Sequence, residues 1–333
     1  IILRHSQSGT LRHLRSVTGE AGSLHSNHVN SLFLGRNNTM WVGSSKCGVA
    51  YTSLGNAAFN TPQLPMGISD ITALAEDESG NLWLGADGEG LAVRNKATGT
   101  WRRHTSANSP LPSDVILCAM KDKGGRLWFG TYGQGLFCVE DGRLLPRHIA
   151  EEVDYVRCMA EDDNGNLWIG TLRNGLFRWN TETGDTAQFT LDNSALPTSS
   201  VTSLLYNGGR LYIATPSGLC AMQTSDGTID KIGLEQPSCL CIDKRHLLWV
   251  GCEDGSIKVY TTPSMTELKH IPLPSRSNHN IVRALAADAK GSIWVTTEEG
   301  FAHIVTEYAQ DGTLQTEQHY YSSQDISRDI LFY

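Results

Sequence analysis

The chain has 333 residues, of which 19% are charged and 40% hydrophobic, and its formal net charge is −8. This acidic balance argues against nucleic-acid binding by this region, because phosphate backbones are bound by clustered basic side chains. No apolar run approaches the roughly 18 residues of a membrane-spanning helix, and the apolar content is too high for disorder. At about 150 residues per domain the length favours two domains, unless the chain is one large repeat domain.

The two ends of the chain look like parts of incomplete repeats. In the four-stranded repeat described below, residues 1–15 resemble the third and fourth strands without a first and second. Residues 326–333 resemble the first strand of a further repeat. We expect the end segments, 1–15 and 321–333, either to close a ring of repeats or to belong to neighbouring parts of a larger protein. The start at Ile1, with no leader before it, fits a piece of a longer protein.

Between these ends, glycine and tryptophan recur at a fixed period. Glycine accounts for 33 residues, about 10% against a usual ~7%. An aromatic residue, usually followed two residues later by glycine, appears seven times at intervals of 42, 45, 40, 44, 37 and 45 residues. The seven anchors are Trp41, Trp83, Trp128, Trp168, Tyr212, Trp249 and Trp294.

Each repeat reads as four short strands. In the second repeat these are residues 71–77, 81–85, 91–94 and 101–104, with a tight Asp-x-x-Gly turn at 77–80. The same turn recurs at 122–125, 162–165 and 288–291. Four strands in about 42 residues predict an all-β fold: one seven-bladed β-propeller over residues 1–333, with four-stranded antiparallel blades. An eight-bladed or incomplete ring is the alternative.

Two glycine positions in the repeat have predicted roles. The glycine after the anchor aromatic is expected to lie where a side chain would clash with a neighbouring blade or the axis. The glycine that opens the third strand is expected to adopt a positive φ.

The sequence contains no recognisable catalytic or cofactor motif. Its eight cysteines include no C-x-x-C pair and often follow the repeat, which favours small core thiols over zinc ligands or disulfides. The aspartates of the recurring turns are expected to be structural, not calcium ligands. His28 and His279 lie in loops that become neighbours if the ring closes, so a metal site is an alternative there to a solvated polar cluster. We expect no cofactor and no catalytic residue.

Candidate ligand contacts come from loops that differ between blades. Propellers usually bind ligands at the loops between the second and third strands and at those entering the first strand. On blades three and four these loops gather tyrosines and arginines, which suit a sugar or an anionic ligand, although unconstrained loops would vary as well. The candidate ligand-binding residues are Tyr132, Gln134, Tyr155, Arg157, Arg173 and Asn174, with His28 and His279 from the other loops.

The phrase D-x-x-G-N-L-W-x-G-T-x-x-x-G-L-x-R at residues 162–178, with variants in other repeats, resembles the regulator-propeller repeats of bacterial two-component sensors. The resemblance covers nearly the whole chain and is specific for the repeat, not for a ligand. It implies the periplasmic sensing region of an inner-membrane hybrid histidine kinase and response regulator, many of which sense carbohydrates. The implied partners are an oligosaccharide or other small ligand, and neighbouring propeller and β-sandwich domains. A homodimer of the parent protein is a further implied partner.

Three functional hypotheses follow. The favoured one is a non-catalytic, carbohydrate-responsive input domain. The second is a protein-binding scaffold, which the absence of the Gly-His and Trp-Asp signatures of WD repeats weakens. The third is a metal-assisted lyase, because streptogramin-lyase-like propellers have a similar G-x-I-W phrase; here only His28, His279 and loop glutamates could supply such a site.

Overall fold

A computed structural model describes residues 2–4, 11–13, 29–35, 39–53, 64, 67–233, 236–274, 280–288, 291–309 and 313–322. Every helix or strand in that part of the chain is a β-strand, 29 in all, so it contains no helix that could cross a membrane. The residues form two compact units, one made of 1–64 and 241–333 and the other of 65–240.

The unit of residues 65–240 contains four blades, each an antiparallel sheet whose four strands pair in chain order. Blade two is β6 (Ile71–Glu76), β7 (Leu82–Ala86), β8 (Gly90–Arg94) and β9 (Trp101–His104). Blade three is β10 (Ile116–Lys121), β11 (Leu127–Thr131), β12 (Leu136–Glu140) and β13 (Arg143–Arg147). Blade four is β14 (Val156–Glu161), β15 (Asn166–Thr171), β16 (Leu176–Asn180) and β17 (Thr186–Phe189). Blade five is β18 (Ser203–Asn207), β19 (Arg210–Thr215), β20 (Gly218–Gln223) and β21 (Ile229–Lys231).

The unit with both ends of the chain contains three blades and a separate hairpin. The hairpin is β1 (Ile2–Arg4) and β2 (Leu11–His13), and blade one is β3 (Val29–Leu34), β4 (Thr39–Ser44) and β5 (Gly48–Ser53). Blade six is β22 (Pro237–Ile242, which begins in the other unit), β23 (Leu248–Cys252), β24 (Ser256–Tyr260) and β25 (Glu267–Pro272). Blade seven is β26 (Val282–Ala287), β27 (Ile293–Thr297), β28 (Gly300–Tyr308) and β29 (Leu314–Ser322).

These sheets confirm the predicted seven-bladed β-propeller, and the described residues contain no eighth four-stranded blade. The inner strand β3 of blade one packs against β26 and β27 of blade seven, so the first and last blades are neighbours, as a ring requires. Among the described residues, blade one has three strands, and β1 and β2 pair with each other. A ring-closing role for residues 1–15 stays a prediction.

The anchor aromatics fill the space between successive blades. Trp83 of blade two is buried in one cluster with Ile116 and Phe129 of blade three. Trp168 of blade four is buried with Val201 and Ile213 of blade five. A single blade buries only part of its surface, and the apolar faces are covered when the sheets stack.

The glycine that follows the anchor makes this stacking close. A Cβ on Gly130 would lie 2.6 Å from both Cγ1 and the carbonyl oxygen of Val156 in the next blade. The predicted clash is therefore with the neighbouring blade. At the start of the third strand, Gly90 has φ +84°, and a Cβ there would lie 2.3 Å from the carbonyl oxygen of His104. This confirms the predicted positive φ and adds a steric reason for glycine.

The recurring Asp-x-x-Gly turns are structural, as expected, but the structure adds an unpredicted bond. Asp162 is buried and accepts hydrogen bonds from the backbone N–H groups of Asn164 and Asn166, from Asn166 Nδ2, and from Trp168 Nε1 at 2.9 Å. The turn aspartate and the anchor indole are therefore one paired unit. The same carboxylate–indole bond joins Asp77 to Trp83, Asp122 to Trp128, Asp243 to Trp249 and Asp288 to Trp294.

Candidate functional site

The candidate site is built on three short loops of blades three and four, all within the unit of residues 65–240. The loop after β11 is closed by Thr131, whose backbone N–H and side-chain hydroxyl both donate to the carbonyl of Gly135, at 2.9 and 2.8 Å. Thr171 and Gly175 make the same pair of bonds after β15, at 3.0 and 2.9 Å. Blades three and four therefore have equivalent tight loops at 131–135 and 171–175. The three residues between the threonine and the glycine differ between the two loops.

The segment that enters β14 lies between these two loops and is bonded to both. The carbonyl of Asp154 accepts from the backbone N–H groups of Gly133 at 3.1 Å and Gly135 at 3.0 Å. The carbonyl of Tyr155 accepts from the backbone N–H of Leu172 at 3.0 Å. The three loops therefore form one continuous, hydrogen-bonded surface.

Tyr132, Tyr155 and Arg173 meet on this surface. The rings of Tyr132 and Tyr155 pack edge to face, with centroids 4.5 Å apart and planes at 78°. The guanidinium carbon of Arg173 lies 3.8 Å from the centroid of the Tyr155 ring, a close cation–π contact. Tyr155 is half-buried, whereas Tyr132 is 48% exposed, one of the few large hydrophobic side chains exposed to that degree. We call Tyr132, Tyr155 and Arg173 the tyrosine–arginine cluster.

Asn174 joins the same surface as an anchor of its loop. Its Nδ2 donates to the carbonyl of Glu152 at 2.8 Å and to Oδ1 of Asp154 at 3.2 Å. Gln134 is exposed on the loop between Thr131 and Gly135. Of the six candidates on these blades, the structure thus brings five onto one loop surface.

Arg157, the sixth, lies on the inner strand β14 at its irregularity between Val156 and Cys158. The Arg157 side chain is exposed. Burial raises the pKa of the neighbouring Cys158 thiol well above its usual value, and the positive charge of Arg157 acts in the opposite direction. Strand irregularities of this kind re-aim a side chain. Arg157 is therefore placed by the inner strand, not by the loops that hold the tyrosines.

The two histidine candidates, His28 and His279, lie outside the described residues. Among the residues that are described, no group of three or more His, Cys, Asp or Glu side chains is arranged to hold a metal ion.

The arrangement suits recognition of a ring with polar substituents. The exposed Tyr132 offers an apolar aromatic surface, and the exposed guanidinium of Arg173 offers N–H donors beside it. Sequence reasoning missed Asp154, because the bonds to its carbonyl leave no trace in residue identity. One signal was present: Asp154 and Asp114 both stand two residues before the inner strand of their blade.

The repeats match a known family model. The two-component regulator propeller model matches residues 66–88, 110–133 and 152–173, which include the loops of Tyr132 and Tyr155 and reach Arg173. This confirms the resemblance seen at residues 162–178. No curated protein matches the sequence.

Solved structures with 19% or less identity share the fold. The extracellular domain of the putative one-component system BT4673 from B. thetaiotaomicron has a TM-score of 0.63 at 19% identity, covering 95% of this chain and 46% of its own. A catalytically inactive virginiamycin B lyase from Staphylococcus aureus with quinupristin has a TM-score of 0.67 at 17% identity, covering 81% and 92%. PorZ, a surface component of the type-IX secretion system of Porphyromonas gingivalis, has a TM-score of 0.62 at 13% identity, covering 95% and 57%.

This chain spans less than half the length of the BT4673 domain. At these identities the structural likeness shows the propeller fold alone, and the repeat model supplies the relationship. Three segments of the chain, 66–88, 110–133 and 152–173, are therefore similar to two-component regulator propeller repeats.

Proposed function

We propose that this chain is a non-catalytic, ligand-sensing input region of a hybrid two-component sensor, located outside the cytoplasm. The repeat family supports this role, and so does the fold shared with the extracellular domain of BT4673. In this proposal the rest of the protein contributes neighbouring propeller and β-sandwich domains, a membrane span and a histidine kinase. Ligand binding changes how this region packs against its neighbours.

The ligand in this proposal is an oligosaccharide bound at the tyrosine–arginine cluster. The observation that carries the assignment is the half-exposed ring of Tyr132, held edge-on by Tyr155 with Arg173 beside it. A pyranose presents an apolar face that stacks on an aromatic ring and hydroxyl groups that accept from a guanidinium. The repeat fixes the loop bonds and leaves these three side chains to set the specificity.

The test is calorimetric titration of a panel of oligosaccharides against the intact extracytoplasmic region. We expect one glycan class to bind without turnover, and Tyr132→Ala or Arg173→Ala to weaken binding by about tenfold. Tyr308→Ala is the matched control, because Tyr308 is also half-exposed (50%) but lies on blade seven. If no glycan binds, or if Tyr308→Ala weakens binding as much as Tyr132→Ala, the proposed ligand site is wrong.

A metal-assisted lyase is the second candidate, favoured by the fold shared with virginiamycin B lyase. This activity would require His28 or His279 together with a loop glutamate. Turnover of quinupristin that is abolished by His279→Ala and by chelation of metal would favour the lyase. Binding of a glycan that is recovered unchanged would favour the sensor.

A further inference from the structure

We propose that Asp154 is a positioning residue that holds the loops of blades three and four together as one preformed binding surface. This inference rests on the proposed function only for the ligand; the coupling of the loops is a property of the chain itself. The side chains that would contact a ligand come from three separate loops, and Asp154 is bonded to all three.

The backbone of Asp154 fixes the loop of Tyr132. Its carbonyl accepts from the N–H groups of Gly133 and Gly135, at 3.1 and 3.0 Å, on either side of Gln134. Gly133 directly follows Tyr132, and a Cβ on Gly133 would lie 3.8 Å from the Tyr155 ring. The direction of the Tyr132 ring therefore depends on where Asp154 places this carbonyl.

The carboxylate of Asp154 fixes the two elements of blade four. Its Oδ1 accepts from the backbone N–H of Tyr155 at 2.7 Å and from Asn174 Nδ2 at 3.2 Å. Asn174 directly follows Arg173, whose guanidinium lies over the Tyr155 ring. One oxygen atom thus ties the tyrosine and the arginine loop to each other.

The equivalent residues of neighbouring blades keep the backbone role but not the side-chain role. Gly90 donates to the carbonyl of Asp114 at 2.9 Å, and Gly175 donates to the carbonyl of Ser199 at 2.8 Å. The carboxylate of Asp114 accepts instead from the backbone N–H and hydroxyl of Ser106, at 2.7 and 3.1 Å. The backbone bond therefore recurs in three successive blades, whereas the carboxylates of Asp114 and Asp154 accept from different partners. In blade two a side-chain bond also joins the equivalent positions, from Ser69 Oγ to Glu89 Oε1 at 2.8 Å.

A preformed surface binds more tightly because fewer loop conformations are lost on binding. Replacing Asp154 by alanine leaves the Tyr155 N–H and the Asn174 amide without their shared acceptor. We expect both loops to move relative to the Tyr155 ring. In Asp154→Asn one side-chain oxygen remains, so this variant keeps the Oδ1 acceptor while it removes the charge and replaces Oδ2 with an amide group.

The experiment uses the chain labelled with 3-fluorotyrosine and followed by fluorine NMR without ligand. The signals of Tyr132 and Tyr155 are assigned by their loss in Tyr132→Phe and Tyr155→Phe. We expect Asp154→Ala to shift or broaden both signals and Asp154→Asn to restore them. Asp185→Ala is the matched control and should leave both unchanged, because the Asp185 carboxylate is exposed in the turn between β16 and β17 and accepts from Thr183 Oγ1. In calorimetry with a glycan found by the panel above, Asp154→Ala weakens binding by about tenfold and Asp154→Asn by less than about twofold.

Unchanged signals in Asp154→Ala would overturn the proposal. Failure of Asp154→Asn to restore them would also overturn it, since it would indicate that the charge matters and not the acceptor. If Asp154→Ala does not fold by circular dichroism, Asn174→Ala removes one of the two bonds and should shift the Tyr155 signal. An unchanged Tyr155 signal in Asn174→Ala would contradict the proposal. The NMR measurement needs no ligand. A panel in which no glycan binds would therefore contradict the proposed function, whereas the role of Asp154 is tested by the tyrosine signals alone.

Discussion

One side-chain interaction that recurs from blade to blade is the bond between a turn aspartate and the anchor tryptophan six residues later. Five blades contain it, and in blade four the carboxylate of Asp162 is fully buried. Buried carboxylates are tolerated when they accept several hydrogen bonds, and Asp162 accepts four. The aspartate therefore satisfies both its own turn and the indole N–H that the blade stacking buries.

We expect Asp162→Asn to lower the free energy of unfolding by about 1–3 kcal/mol. The new amide turns a donor toward Trp168 Nε1 and Asn166 Nδ2, which are themselves donors. Denaturant unfolding followed by tryptophan fluorescence measures the change. Asp192→Asn is the control, because Asp192 is exposed. An equal loss in both variants would show that burial of the carboxylate is not the cause.

Buried thiols give a second prediction for single residues. Cys220 is 1% exposed, and burial raises the pKa of its thiol from 9.0 to about 11. We expect iodoacetamide at pH 8.5 to label Cys47, which is exposed, and to spare Cys220 until the chain unfolds. Peptide mass spectrometry of the labelled chain reads out each site. Labelling of Cys220 in the folded chain at the rate of Cys47 would contradict the structure.

The raised thiol pKa also sets the sign of a pH effect. Between about pH 9 and pH 11 the folded chain keeps the Cys220 proton, whereas the unfolded chain releases it. The contribution of this group to stability is therefore complete below pH 9 and is lost as the pH rises toward 11. Cys220→Ser, whose hydroxyl does not titrate there, should show a smaller loss of stability over that interval.

At the scale of the element, the blade is defined by how closely its second strand approaches the next sheet. Gly130 follows the Trp128 anchor, and the nearest atoms to its missing Cβ are Val156 Cγ1, Val156 O and Cys118 Sγ, at 2.6, 2.6 and 2.7 Å. The backbone oxygen cannot swing away as a flexible side chain can. The repeat therefore needs glycine here because of space, not because of φ.

We expect Gly130→Ala to destabilise the chain by about 1–3 kcal/mol or more, because blades three and four must separate to admit the methyl group. Gly142→Ala is the matched comparison. Gly142 has φ +72° and no heavy atom within 4 Å of its would-be Cβ, so it is subject only to backbone strain of about 1 kcal/mol. Thermal unfolding of both variants should place Gly130→Ala lower. The opposite order would show that the blades are not in steric contact at this point.

Most strands and turns of the blades could be predicted from the sequence. The anchor spacing predicted the strands of the second repeat to within one or two residues, because turn and apolar patterns are local. Blade six was harder: its turn at 243–246 ends in His246 with φ +59° instead of glycine, so the Asp-x-x-Gly pattern missed it. The bond from Asp243 to Trp249 shows that the turn is the same.

The candidate site could be predicted only in part, for a physical reason. Equivalent loops of stacked repeats lie side by side, so the proximity of Tyr132, Tyr155 and Arg173 follows from the repeat. The edge-to-face geometry of the rings and the role of Asp154 depend on backbone carbonyl directions, which residue identity does not encode. Arg157 illustrates the limit, because it lies at the register shift of β14 between Val156 and Cys158.

At the largest scale, the first and last blades of the chain are in contact within the unit that contains both chain ends. The inner strand of blade one, β3, packs against β26 and β27 of blade seven, and Val29 and Val282 are both buried there. Blade seven also has the longest outer hairpin of the described blades, with β28 and β29 of nine residues each. Loss of blade seven would expose the apolar side of blade one to water.

We therefore expect deletion of residues 275–333 to abolish the cooperative thermal transition and to cause aggregation, since the uncovered sheet has no partner. Deletion of residues 1–13 is the control: β1 and β2 pair with each other, so we expect the midpoint to stay within about 2 °C of the parent chain. Calorimetry of the three chains measures both effects. A cooperative transition at the parent midpoint without blade seven would show that the blade-one contact is dispensable. A large drop on removing residues 1–13 would instead assign ring closure to the amino-terminal strands.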